Sequence, residues 1–333
     1  MREISLAARG DGHASPHFQG EDVTAILRPH RAILLVDARM QPTLLVLAAG
    51  MGSRYGGLKQ IDPVGPSGET MLDYSVFDAI RAGFGRVVFV IRQDFAELFR
   101  AQIASKYAGR IAVNFVFQSL DVLPAGCALP AVREKPLGTG HATWCAGDVV
   151  REPFAVINAD DFYGADSFRA LSTFLAKSAP NEAAMVGFRL QNTLSEAGTV
   201  SRGICETDTA GRLLRVTEAT GIAANDVGAG KKYEPSTTVS MNCWGFSPAI
   251  FASLEQELRG FVLHALPANP AKAEFYLPAA VSELIGRGRL LATVLPTESS
   301  WFGVTYREDK PAVAASIRTL VHAGLYPENL WGS

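Results

Sequence analysis

The chain has 333 residues, with 31 basic against 33 acidic side chains and a formal net charge of −2. Apolar residues make up 48 % and charged residues 19 %, which excludes a mainly disordered chain. The charge balance advertises neither a nucleic-acid surface nor an acidic solvating tail, and the length allows two domains or one large α/β domain. The four cysteines, Cys127, Cys145, Cys205 and Cys243, form no C-x-x-C pair and no metal-ligand spacing. They read as small buried hydrophobes in a reducing compartment. The longest early apolar run, Ala32 to Val36, is too short for a bilayer and too short and too late for a secretory core. The expectation is a cytoplasmic protein with no membrane and no nucleic-acid partner.

Residues 1–39 stand apart. They hold His13, His17 and His30, five arginines and five acids, with no sustained apolar period. They read as an N-terminal extension with little packed structure, or as a segment ahead of a natural start at Met40. From Thr43 the pattern is regular. Leu44–Ala49, Val87–Ile91, Phe154–Ile157 and Ala183–Val186 are continuous apolar runs, as strands buried on both faces are. Between the first two, Leu72, Val76 and Ile80 predict a helix starting near Thr70 and stopped by Gly83. Further helices are predicted over Asp94–Lys106, Thr139–Val149 and Asp166–Lys177. Strands alternating with helices predict an α/β fold with a mostly parallel, doubly wound sheet.

After Phe188 the texture changes. Short β-like runs at Thr199–Cys205, Leu213–Glu218 and Thr237–Phe246, with a loop at 226–235, predict a smaller β-rich region packed on the core. Helices return at Pro248–Leu258, Phe275–Gly286 and Pro311–Ala323, and Gly324 and Pro327 punctuate the last. The expected organisation is one domain over 40–325 followed by a tail at 326–333.

Three motifs carry chemistry. The first, L-A-A-G-M-G-S-R-Y-G-G-L-K from Leu47 to Lys59, follows the first strand directly. Gly50 and Gly52 let the backbone turn and bring N–H groups close to phosphate oxygens. Arg54 adds a planar cationic fork and Lys59 a movable point charge. Tyr55 stands where a G-x-G-x-x-G fingerprint needs glycine, which argues against a redox dinucleotide fold, and no G-K-[ST] ends the loop. The second, Glu134 to Ala142, offers Gly138 and Gly140 for close backbone approach and Thr139 as a helix cap, with His141 facing its own neighbours. The third, V-I-N-A-D-D-F-Y-G from Val156 to Gly164, sets two acids at the carboxyl end of a buried strand, where ligands of open α/β sheets gather. Asp160 reads as a ligand for Mg²⁺. Asp161 reads as a cap on the next helix or as support for that ligand.

In this order the motifs resemble those of the sugar-phosphate nucleotidyltransferases. G-T-G-H-A is most similar to the uridylyltransferase domain of N-acetylglucosamine-1-phosphate uridylyltransferases, and D-D-F-Y-G to glucose-1-phosphate thymidylyltransferases. The likeness spans about residues 43 to 310. It implies a Rossmann-like, GT-A-like fold, with a nucleotide-binding half at 40–188 and a sugar-phosphate-binding half at 189–310. It also implies that Ala49, Gly50, Gly52 and Ser53 cradle the triphosphate, that Arg54 neutralises departing pyrophosphate, and that Lys59 sits near the reacting phosphates. Gln118 resembles the glutamine that reads a pyrimidine, with the backbone of Gly138 and with Thr139 beside it. Some 19 residues separate Gln118 from Gly138, where the family has a handful. The insertion Ser119–Pro136 reads as a lid or a surface loop. Gly203, Glu218 and Asn242 resemble the sugar-binding residues, and Glu274 is a further candidate for that pocket. Where the family places a second acidic metal ligand, Ser300–Lys310 carries Thr305.

The implied reaction joins an NTP, with UTP or dTTP favoured, to a sugar-1-phosphate, giving an NDP-sugar and pyrophosphate with Mg²⁺. The alternatives keep the fold with CTP, GTP or a non-sugar alcohol phosphate such as phosphocholine. A further one, motivated by Thr305, is a nucleotide-binding regulatory relative without turnover.

Overall fold

The computed structural model describes residues 41–50, 62–195, 198–297, 299–303 and 307–332. The proposed extension at 1–39, together with Gly52, Ser53, Arg54, Lys59 and Thr305, lies outside them.

The first apolar run forms β1 (Thr43–Leu47), every residue of it buried. Thr70 then caps α1 (Met71–Arg81) through a reciprocal capping box with Asp73, and Gly83, at φ 90°, follows its end. Next come β2 (Arg86–Ile91), α2 (Ala96–Tyr107), β3 (Ala112–Phe117) and α3 (Thr139–Trp144). The third helix is shorter than predicted: hydrogen-bonded turns, not helix, carry the chain on to Val150. Then follow β4 (Phe154–Asn158), the short β5 (Asp161–Phe162), α4 (Ala165–Leu175) and β6 (Glu182–Arg189). The β-rich stretch gives β7 (Val200–Thr207), β8 (Arg212–Ile222) and β9 (Thr238–Phe246). The chain closes with α5 (Ile250–Gly260), α6 (Leu277–Gly286), β10 (Leu291–Pro296), β11 (Phe302–Gly303) and α7 (Lys310–His322).

One nine-stranded sheet runs β3-β2-β1-β4-β9-β6-β10-β8-β7. β1 pairs in parallel with β2 and β4, and β2 with β3. β9 runs antiparallel to β4 and β6, and β8 antiparallel to β10 and β7. The remaining strands share one direction, so the sheet is mostly parallel. The β-rich stretch joins this same sheet. β7 pairs with β8 and also, through Gly203↔Ser240 and Ile204↔Val239, with β9. The pairings β9–β6–β10–β8–β7–β9 thus close a ring. Two buried clusters, one on each face of the sheet, make up the core. Among the described residues no helix is long and apolar enough to cross a membrane.

A third cluster joins α1, β5 and α7 to the last residues of the chain. Beyond α7 the chain straps across α1. Tyr326 Oη donates to Asp78 Oδ2 at 2.6 Å, Leu330 N donates to Glu69 Oε1 at 3.2 Å, and Arg110 Nη2 donates to the Trp331 carbonyl at 2.8 Å. Lys310 Nζ pairs with Asp62 Oδ1 at 2.6 Å. Burial lifts the Asp78 carboxyl to about 6, against the pull of Tyr326 and Arg81. The folded protein therefore keeps a proton there that the unfolded chain releases near pH 4. The stability contributed by this group is full below that point and falls as pH rises through about 6. The variant Asp78→Asn carries no titrating group, so its stability relative to wild type is expected to improve by up to roughly 3 kcal/mol from about pH 4 to about pH 7.5. Urea unfolding of both proteins at the two pH values measures this, and a gap that stays constant would contradict it.

Candidate active site at the carboxyl edge of the sheet

The parallel register of β1 and β4 sets Leu47 opposite Asn158. Past the strands, Ala48 N donates to the Val90 carbonyl at 2.8 Å and Ala159 N to the Leu47 carbonyl at 3.2 Å. The segment Ala48–Gly50 and the tip Ala159–Asp160 therefore leave the sheet together. Ala49 is buried and Gly50 exposed. A Cβ at Gly50 would meet nothing within 4 Å among the described residues. Crowding by these residues does not demand glycine there. The four other residues assigned to this loop lie outside the described residues.

Asp160 is half-buried in the turn between β4 and β5. Asp161 is buried, and of the two roles expected of it, it does not cap α4. The N-cap of α4 is Gly164, at φ 72°, with no side-chain cap. The reason lies within its own turn: Asp161 Oδ2 accepts from Asn158 Nδ2 at 2.9 Å and lies 3.1 Å from Tyr163 Oη, which also accepts from Asn158 N at 3.1 Å. Opposite, β11 pairs with β5 through Gly303↔Asp161, and a Cβ at Gly303 would fall 2.6 Å from Asp161 Oδ1. The segment expected to carry a second metal ligand thus runs against the acidic tip.

The polar chain continues into β9. Asn242 Nδ2 donates to Asn158 Oδ1 at 2.7 Å, and Trp244 Nε1 donates to Asn242 Oδ1 at 3.1 Å. Asn242 has φ 60°, a left-handed backbone that asparagine tolerates better than most residues.

On the other side of the edge, Gln118 follows β3, and its Nε2 donates to the Gly138 carbonyl at 3.0 Å. The insertion therefore does not separate the two residues assigned to the base. Its carboxyl end is clamped by buried Arg133, whose guanidinium donates to the carbonyls of Lys135, Pro136 and Pro270, while Arg259 holds the Ala125 carbonyl within it. Gly138 has φ 99°, and a Cβ there would meet the Phe275 carbonyl at 2.9 Å, so glycine is required twice over. Thr139 does not cap α3; Gly138 does, with no side-chain bond. Thr139 Oγ1 accepts instead from Leu277 N at 3.0 Å, which ties the motif to the start of α6.

Gly203, Glu218 and Asn242 line one cavity of about 320 Å³, together with Thr139, Asn158, Asp161 and Tyr276. A Cβ at Gly203 would lie 2.6 Å from Val216 Cγ1, so this strand position accepts no side chain. Burial raises the Glu218 carboxyl above its usual value and Arg202 pulls it back. Glu274 does not line the cavity. It hydrogen-bonds Tyr276, which does, and with burial leading it helps raise that phenol to about 12.

Arg202 was not anticipated. It is buried in β7 and bonds the carbonyls of Thr193 and Ser201, with its guanidinium 4.8 Å from the Trp301 ring centre. Burial lowers it to about 10, while Asp161, Glu218 and Asp309 raise it. The available signal was an arginine inside a β-like run, beside the glycine already singled out.

As a metal donor, Asp160 suits Mg²⁺, which takes one or two carboxylates and fills the rest of its shell from water and phosphate. Asp161 is committed to Asn158 and Tyr163. Among the described residues no group of three or more His, Cys, Asp or Glu could hold an ion by itself, so any such ion would lean on substrate oxygens.

The Asn242 network separates into backbone and side-chain parts by mutation. Asn242→Gly keeps the left-handed backbone but leaves Asn158 Oδ1 and Trp244 Nε1 unpaired, an expected loss of about 1–3 kcal/mol. Asn242→Ala is expected to lose roughly 1 kcal/mol more from backbone strain. Chemical denaturation of the two variants compares them, and equal losses would remove the backbone part.

A family model for nucleotidyl transferases matches residues 44–258, well over half of the chain. No curated protein matches the sequence. Among solved structures, a UDP-glucose pyrophosphorylase complexed with UDP-glucose aligns at TM-score 0.55 and 17 % identity, over 84 % of this chain and 99 % of that one. The inositol-1-phosphate CTP transferase from T. maritima aligns at 0.55 and 12 %, over 84 % and 97 %. A Bacillus anthracis protein assigned as a glucose-1-phosphate thymidylyltransferase, in complex with a sucrose, aligns at 0.57 and 13 %, over 83 % and 95 %. These likenesses show a shared fold, and the family match carries the identification: the chain belongs to the nucleotidyl transferase family.

Proposed function

We propose that the protein joins an NTP to a sugar-1-phosphate, releasing pyrophosphate and an NDP-sugar. The observation that carries this reading is the shared exit of the Gly50 segment and the Asp160 tip from one sheet edge, with Gln118 and Gly138 together on one side. The cavity of Gly203, Glu218 and Asn242 completes the arrangement. A phosphate oxygen of the sugar phosphate attacks the α-phosphorus in line, and pyrophosphate leaves opposite. The nucleophile is already anionic, so no general base is needed. The catalytic problem is charge: two anions approach, and more charge gathers on the leaving group. Arg54 and Lys59 offset that charge, while Gln118 and the Gly138 backbone hold the base, UTP or dTTP being favoured. Glu218, Asn242 and the Glu274-bonded Tyr276 take the sugar hydroxyls. Magnesium held by Asp160 would supply further charge neutralisation on the triphosphate.

A second reading replaces the sugar by another alcohol phosphate and the nucleotide by CTP. It is favoured by the likeness to an inositol-1-phosphate transferase at the same TM-score as the UDP-glucose enzyme. A matrix of the four NTPs with dTTP, against sugar-1-phosphates, inositol-1-phosphate and phosphocholine, separates the two by pyrophosphate release, with Mg²⁺ omitted as control. Tight NTP binding without release on any acceptor would instead indicate a regulatory relative.

Lys59→Ala is expected to lose turnover by roughly 10²–10³, as for removal of one well-placed charge-stabilising donor, while unfolding at the wild-type temperature. Pyrophosphate release at saturating substrates measures it, and near-full activity would contradict the role.

A further inference from the structure

His141 is fully buried, and the reading above gives it no task. Its Nε2 lies 2.7 Å from the Val122 carbonyl and its Nδ1 3.2 Å from Gln118 Nε2. A carbonyl oxygen only accepts, so Nε2 carries the proton. Burial lowers the ring's pKa, Arg133 lowers it further, and the Val122 bond opposes both. Cys145 Sγ, 3.5 Å from Nε2, adds no charge, because burial lifts that thiol to about 12. The ring is therefore neutral and Nδ1 is a lone-pair acceptor.

This settles the orientation of the neighbouring amide. The end of Gln118 that faces Nδ1 must be the NH₂ group. Its other neighbour, the Gly138 carbonyl, is an acceptor too. Both amide hydrogens are committed, and among the described residues Gln118 Oε1 accepts no hydrogen bond.

We propose that His141 is a positioning residue that locks the Gln118 amide so that its side chain offers the nucleotide base one acceptor and no donor. Resting on the nucleotidyltransferase reading, the lock selects a base that presents an N–H at that point. The N3–H of uracil or thymine supplies it, and N3-methylated uracil does not.

The lock is tested in the full, ligand-free chain by ¹⁵N NMR of the imidazole. A neutral Nε2–H tautomer at pH 7 is expected; an Nδ1–H tautomer or an imidazolium would overturn the proposal. Its consequence is tested by titrating UTP and N3-methyl-UTP into wild type, His141→Leu and His141→Asn. Wild type is expected to prefer UTP by about tenfold or more, the worth of one buried hydrogen bond. His141→Leu should lose most of that preference through weaker UTP binding, with kcat at saturating UTP nearly kept. His141→Asn, whose Oδ1 stands near the Nδ1 position, should recover it. Equal affinity of wild type for both nucleotides would overturn the selection. Failure to bind any NTP would strike the functional reading, while the tautomer still decides the lock.

Discussion

The parallel pairing of β1 with β4 is the constraint on which the rest depends. β1 is the innermost strand of the parallel half, with β2 on its other side, and Leu44, Leu45 and Val46 are wholly buried. Burying each such side chain is worth about 1.5–3 kcal/mol. A slip of one residue would turn every buried side chain of β1 to the opposite face, so hydrophobic burial fixes the register to the residue. The register in turn decides that the glycine segment after Leu47 and the acidic tip after Asn158 share one edge. Packing several residues away thus decides that the segment Ala48–Gly50 and the Asp160 carboxylate share that edge.

The polar residues behind that edge obey a different constraint. Asp161 and Tyr163 are buried, Asn158 and Asn242 are half-buried at the cavity wall, and an unpaired buried polar atom costs about 1–3 kcal/mol. They satisfy one another, and Trp244 joins them. The same network spans β4, β5 and β9, so it fixes the wall of the cavity as well as its own members. Arg202 completes the electrostatics. It is a buried cation whose neighbours Asp161, Glu218 and Asp309 are acids, and its guanidinium is held by backbone carbonyls. Its charge serves as a counterweight to the pocket's carboxylates.

The parallel half of the fold was legible because its signals are local. Uninterrupted apolar runs mark strands covered on both faces, and the spacing of Leu72, Val76 and Ile80 marks a helix whose start near Thr70 the structure reproduces. The closure of β7 onto β9 was not legible, since pairing Gly203 with Ser240 depends on chain brought together from far apart. Local rules assign the side-chain oxygens of Thr139 and Asp161 to the nearest helix, yet Thr139 Oγ1 takes the N–H of distant Leu277, and Asp161 Oδ2 takes Asn158 Nδ2 within its own turn. Glycines at positive φ took the cap positions instead. Within the site, Gln118 and Gly138 were named correctly as neighbours despite the insertion between them. The placing of Arg54 and Lys59 lies outside the described residues.

The carboxyl-terminal strap also anchors the chain from Asp62 onward. Asp62, three residues after Lys59, pairs with Lys310 at the start of α7. Glu69, ahead of α1, accepts from Leu330, and Asp78 within α1 accepts from Tyr326. Three successive points downstream of the loop are therefore anchored to the last helix and the strap. Each anchor is a charged or charge-assisted contact, stronger than a neutral hydrogen bond, and two of its acids are almost wholly buried. Loosening the strap would cost each of those buried carboxyls one partner, leaving Asp78 with Arg81 and Glu69 with the Ser67 N–H. The end of the chain thus acts on the segment Asp62–Asp78 through the burial of its acids.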